Sequence, residues 1–212
     1  MVPVVQAFRS DLPTGVVSFP QDRDVLQVLW CPFNHDFPAS PWPVVFWRHS
    51  EAVGAVLAAP AADPAADDWH LPAPCVVHPE RVTEYPSWDL PEDLAEAWQE
   101  DFYRLEEAAP LLSYGTHHAE APGTKLGGYP AWFTGSGDVD CKQCGQPMRH
   151  LLTVASWEWD GDSWRTWRPL EDDDRAGAVN PTGLEIGEVG SVYVFECLSC
   201  KDRPFAHWYD CS

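Results

Sequence analysis

Two Cys-x-x-Cys pairs constrain this chain more than any other feature in it. Cys141-Lys142-Gln143-Cys144 is followed by Gly145, and Cys197-Leu198-Ser199-Cys200 ends an apolar run. A two-residue gap lets both sulfurs of one turn point at one ion. Two such turns complete a tetrahedron of thiolates at about 2.3 Å from it. The spacing therefore predicts one zinc ion on Cys141, Cys144, Cys197 and Cys200. The 52 residues between Cys144 and Cys197 exceed a compact ribbon, so the ion is expected to join distant parts of a fold. Disulfides or bare buried thiols are the competing reading, which a reducing compartment disfavours. Four protein thiolates leave no position for an activated water, so the expected site is structural. Cys31, Cys75 and Cys211 are left over as small buried hydrophobes, with Cys211 a spare thiolate near the second pair.

The charge balance limits the partners. Asp and Glu total 33 against 13 Lys and Arg, a formal charge of −20, which repels nucleic-acid phosphate and anionic membrane and favours a basic protein partner. Solubility alone is the competing explanation. The opening "MVPVVQAFRSDLP" places arginine and proline where a secretory segment needs an unbroken apolar run, and no stretch approaches the roughly 18 apolar residues of a membrane span. A soluble cytoplasmic protein is expected, with its oligomeric state left open.

Along the chain, "DVLQVLW" (24–30) and "PVVFWR" (43–48) read as strands, and "SEAVGAVLAA" from Ser50 as a short helix. A Pro/Ala-rich connector follows over 60–88. Residues 89–109 form the strongest helix, with Asp89 as N-cap and Leu94, Trp98, Phe102 and Leu105 at helical spacing. Its other face carries Glu92, Asp93, Glu96, Glu100, Asp101, Glu106 and Glu107. "HLLTVASWEW" (150–159), "SWRTWRP" (163–169), "GSVYVFEC" (190–197) and "FAHWYD" (205–210) read as further strands. The expected fold is α+β and mostly β. Two related β-rich units, 1–59 and a zinc-stapled 120–212, pack with the acidic helix in one domain with a weak internal repeat.

One enzymatic pattern competes. His118-Ala119-Glu120 followed by Cys141-x-x-Cys144 imitates the zinc deaminases, in which one His and two Cys hold the ion and Glu moves protons. Asp140 stands where that signature has proline, and Cys197 with Cys200 is the better second pair. The glycines of 124–137 lack the Gly-Lys-Ser/Thr ending of a phosphate loop.

"KLGGYPAWFTG", then the first cysteine pair with "PMRHLLTVAS", then "GSVYVFECLSC" resembles the YwqG-like family of domains of unknown function. A similar order, cysteine pairs included, occurs in the programmed cell death protein 2 family. Its members resemble cytoplasmic escorts for a newly made basic ribosomal protein. The likeness covers about residues 123–200, and "LQVLWCP" with "VVFWR" resembles a degenerate first copy. Thr153 stands at a position where relatives carry glutamine. The resemblance implies the fold and the zinc, and the negative surface with its many tryptophans adds the expectation of a non-enzymatic protein-binding module. Its basic partner would be a ribosomal protein or, as with acidic immunity proteins, a toxin. Glu96, Trp98, Glu100, Trp132, Asp172 and Asp173 are the expected partner-facing residues.

Overall fold

Burial alternates along "VLQVLW" as in a strand with one covered face. In the computed structural model, residues 1–35, 40–56, 58, 63–135, 137–169 and 179–211 are described. Val2–Phe8 (β1), Val25–His35 (β2) and Ser40–Arg48 (β3) form an antiparallel sheet in the order β1-β2-β3. Lys125–Leu126 (β4), Arg149–Ala155 (β5), Ser191–Glu196 (β6) and Phe205–Asp210 (β7) form a second, antiparallel sheet in chain order.

β6 is buried on both faces, which is why it reads as a continuous apolar run. Its side chains still alternate. Val192 and Val194 join Leu26, Val28 and Trp30 of β2 and Leu152 and Val154 of β5, so one hydrophobic cluster draws on both sheets. Tyr193 and Phe195 turn the other way and pack with Trp132, at ring-centroid distances of 4.8 and 6.1 Å.

The mostly β character is present, with several local corrections. "SWRTWRP" is not a strand but holds a short helix, Trp164–Trp167 (α2). Asp160 Oδ1 accepts from the N–H groups of Asp162 at 2.8 Å and Ser163 at 2.7 Å, and that side-chain-held turn overrides the two-residue aromatic alternation. "SEAVGAVLAA" yields only the 3₁₀ turn Ser50–Ala52 among its described residues. Val53 and Val56 are exposed, so no covered face sustains a helix there. "HLLTVASWEW" is strand only to Ala155.

The long helix is Glu92–Ala108 (α1), with Pro91 at the N-cap. Asp89 does not cap it; its Oδ2 accepts from the Trp132 indole N–H at 3.1 Å. No residue of α1 is buried. Described parts of the 60–88 connector are tied to the rest of the chain: Tyr85 N–H donates to Ala119 O at 3.0 Å, Tyr114 OH to Pro86 O at 2.9 Å and Ala73 N–H to Thr182 O at 2.7 Å. No described helix is long and apolar enough to cross a membrane.

Candidate metal centre

Strand register brings the two cysteine turns together. β5 pairs with β6 so that Arg149 faces Glu196, which sets the residues just before β5 beside those just after β6. The first turn rests on a small bridge between Asp140 and Pro147, where Cys141 N–H donates to Gln146 O at 2.9 Å and Gly145 N–H to Cys141 O at 2.7 Å. Gly145 has φ +68°, a left-handed conformation that glycine adopts without steric cost. The second turn is the β6–β7 connection, where Cys197 N–H donates to Pro204 O at 2.9 Å and Arg203 N–H to Cys200 O at 3.1 Å. Gln143 Nε2 donates to Asp202 Oδ2 at 3.0 Å, linking one turn to the other.

The four sulfurs all lie within 4.8 Å of one another and could hold a metal ion. Cys141 Sγ is 3.9 Å from Cys200 Sγ, and Cys144 Sγ is 3.6 Å from Cys197 Sγ. A tetrahedron with bonds of about 2.3 Å has edges of about 3.8 Å, which these two distances bracket. Crowding also separates the thiols electrically. At Cys141 burial opposes ionisation, but backbone N–H groups of Cys144 and Gln143 outweigh it and bring the pKa down to about 7. Hydrogen bonding to Cys144, then burial, holds the Cys200 thiol well above its ordinary value. Thiolates this close repel one another, and a divalent cation is what lets all four ionise.

The centre is anchored to the N-terminal segment. Arg203, in the second turn, pairs with buried Glu196 at 3.2 Å and donates to the Ser18 carbonyl and, at 3.3 Å, to the Ser18 hydroxyl. Burial raises the Glu196 carboxyl, and the Arg203 charge opposes that rise.

The glycine-rich segment before the first turn organises around a carboxylate that the sequence reading passed over. Glu84 Oε2 accepts from Ala121 N–H at 2.7 Å and Lys125 Nζ at 2.8 Å, and Oε1 from Tyr129 N–H at 2.8 Å. Both charged side chains are nearly buried, at 8% and 12% exposure. Gly128 has φ +69°, and a Cβ there would stand 1.5 Å from Glu84 Oε1. Its missing side chain is the seat of that carboxylate.

His150 closes the same region. Its Nδ1 lies 2.9 Å from Gly127 O and its Nε2 2.9 Å from Thr153 Oγ1. A carbonyl only accepts, so Nδ1 carries the proton and Nε2 accepts from the Thr153 hydroxyl. Thr153 is thus held in a buried hydrogen bond with the His150 ring. Burial, then the Lys125 charge, pushes the His150 pKa down to about 3. Because the folded pKa lies below the unfolded one of about 6.5, protonation favours the unfolded chain. The neutral ring's stabilisation is complete above about pH 6.5 and is lost as pH falls toward 3, by up to roughly 1.4 kcal/mol per pH unit. NMR of the His150 ring is expected to show no titration between pH 8 and 5; a midpoint near 6.5 would contradict the buried neutral ring.

The remaining candidates fall as follows. His118 lies in the π-helical turn Gly115–Ala119, half-buried, with Nε2 lacking a hydrogen-bond partner. Buried Glu120 accepts from the Ser87 hydroxyl at 2.8 Å, and neither residue belongs to the four-thiol group. Cys31, Cys75 and Cys211 also stand outside that group; Cys75 is exposed rather than buried. Cys211 neighbours Gly187 and Gly190 instead of the second pair. Glu96, Trp98 and Glu100 are exposed, whereas Trp132 is 6% exposed and sits in the aromatic cluster. Asp172 and Asp173, with Glu171 and Asp174, lie outside the described residues.

Two clefts border the segment from Ser87 to Leu90. One, of about 320 Å³, has Tyr129, Trp132 and Phe195 among its walls and Asp89, Asp138 and Asp140 around them, next to the first cysteine turn. Burial raises the Asp89 carboxyl, the Trp132 N–H opposes this, and the Asp138 charge adds to the rise. The other, of about 280 Å³, lies against α1 between Leu90, Ala95, Glu96, Gln99, Phe102 and Tyr114. No family model matches the chain, and no curated protein or solved structure matches it.

Proposed function

We propose that the protein is a non-enzymatic, zinc-containing binding module that holds a basic protein partner. In this reading the two sheets are related β-rich units of one domain. The four thiols hold one structural zinc ion that fixes the cleft beside them. The single observation carrying the proposal is that cleft, where three carboxylates ring an aromatic wall on a chain of formal charge −20. Aromatic faces and carboxylates together suit arginine and lysine side chains, through cation–π contact and charge-assisted hydrogen bonds. A deaminase would need His118 as a ligand and an open coordination position, whereas four thiolates fill a tetrahedral shell. The YwqG-like resemblance, extended to programmed cell death protein 2, supports the same reading, with a ribosomal protein or a basic toxin as the kind of partner.

The test is capture from cytoplasmic extract at low salt. Retained proteins are expected to be basic and to elute as ionic strength rises. Reversing charge with Glu96→Lys and Glu100→Lys is expected to slow association roughly tenfold and flatten its salt dependence, with little change in dissociation. Capture indifferent to salt and to these reversals would leave the acidity a matter of solubility and overturn the proposal.

A further inference from the structure

A helix of 17 residues with none of them buried has an unfinished face. Around α1, Ala95 and Phe102 turn toward the body of the protein, and Phe102 stacks on Tyr114 at 4.1 Å. Leu94, Trp98 and Leu105 continue the same apolar stripe, displaced round the helix, and remain 37%, 44% and 38% exposed. Half of the stripe is used and half is open.

Charge says what covers it. α1 carries seven carboxylates and a single guanidinium, Arg104, which already pairs with Glu100 at 2.6 Å and Asp101 at 3.2 Å. The last turn carries Glu106 and Glu107 and no basic residue, although carbonyl groups concentrate negative potential at that end. A helix C-terminus ordinarily gains from cations; this one is set to gain them from outside. A second copy would bring the same excess of carboxylates against it, and an anionic membrane would be repelled.

Resting on the functional reading above, we propose that the open stripe of α1 is the docking surface for a basic amphipathic segment of the partner. Its apolar side chains cover Leu94, Trp98 and Leu105, and its lysines or arginines meet Asp101, which flanks the stripe one turn before Leu105, and the C-terminal carbonyls of the helix. Glu96 and Glu100 lie on the far side of α1 from the stripe, so they act on encounter, while Trp98 acts on the bound state.

Two synthetic peptides of about 18 residues test this, sharing one pattern of leucines with either lysine or glutamate on the polar face. The lysine peptide is expected to bind the full chain with a change in tryptophan emission that Trp98→Ala removes, and the glutamate peptide to show no binding. Trp98→Ala and the pair Leu94→Ser with Leu105→Ser are each expected to weaken the lysine peptide about tenfold or more, mainly through faster dissociation. Circular dichroism and melting temperature should remain as in the parent, because these side chains are not buried. Equal binding of both peptides, or lysine-peptide binding unchanged in Trp98→Ala, overturns the proposal. So does dimerisation or uptake by phosphatidylserine vesicles that Trp98→Ala abolishes. If the captured basic partner binds Trp98→Ala as tightly as the parent, the docking surface is elsewhere and the functional reading stands; if no basic protein is retained, both fall.

Discussion

Cys197→Ser is expected to take bound zinc from one ion per chain to nearly none and to unfold the end of the second sheet. Cys197 is fully buried directly after β6, so its sulfur cannot be replaced by a neighbouring thiol or by solvent. A serine hydroxyl is a poor ligand that must lose a proton to bind as an anion, and three thiolates would remain crowded without their cation. Metal binding in such sites is folding free energy, about 10–16 kcal/mol in small zinc-dependent domains, against about 5–15 kcal/mol for a whole ordinary domain. Here the apolar cluster shared by the sheets includes none of the four cysteines, so loss should be regional. Amide exchange is expected to quicken first at Cys141, Gly145, Cys197 and Arg203, whose N–H groups close the two turns. Arg203 carries the effect to the Ser18 segment. Elemental analysis and thermal melting give the answer, with His118→Ala as the control that keeps its zinc. Purified parent protein without zinc, or with a disulfide between the turns, would sink the assignment.

The four-cysteine group was legible because its signal is local: each pair is four residues long, and the spacing encodes the turn. β6 and β7 were legible for a related reason, since Ser191–Glu196 holds an unbroken Val-Tyr-Val-Phe run and Phe205–Asp210 is rich in aromatics. β1 carries a weaker strand signal, because Pro3 interrupts its valines and cannot donate to a ladder. α2 failed for a different reason. Its aromatic spacing suits either period over so short a length, and the turn that Asp160 forms with Asp162 and Ser163, outside the aromatic pattern, decides it. The open stripe of α1 could not be read from periodicity, which reports that a helix has an apolar face but not whether the fold covers it. Least legible was Glu84. Within a Pro- and Ala-rich stretch a lone glutamate resembles any solvated charge, and its three donors come from 37 to 45 residues further along the chain.

That carboxylate carries the second large effect. Glu84→Ala is expected to destabilise the protein by about 3–5 kcal/mol, because it leaves the Lys125 ammonium buried without its counter-ion and orphans the N–H groups of Ala121 and Tyr129. Burial already pulls the Lys125 pKa down and the Glu84 charge opposes this, so without Glu84 the lysine gives up its proton more readily. Glu84→Gln should recover only part of the loss. One amide oxygen can serve the donors on one side of the carboxylate, but the amide nitrogen then faces an N–H on the other. Gly128→Ala should approach the same phenotype without touching any charge, since its Cβ would occupy the place of Oε1 and its φ of +69° disfavours a side chain. The informative variant is the double one. Glu84→Gln with Lys125→Met removes both charges together, and it should be more stable than Glu84→Gln alone if the cost arises from an uncompensated cation. Chemical denaturation of the four proteins measures this directly. A Glu84→Ala cost below about 1 kcal/mol would mean that water reaches the pair and that the glycine turn is held by something else.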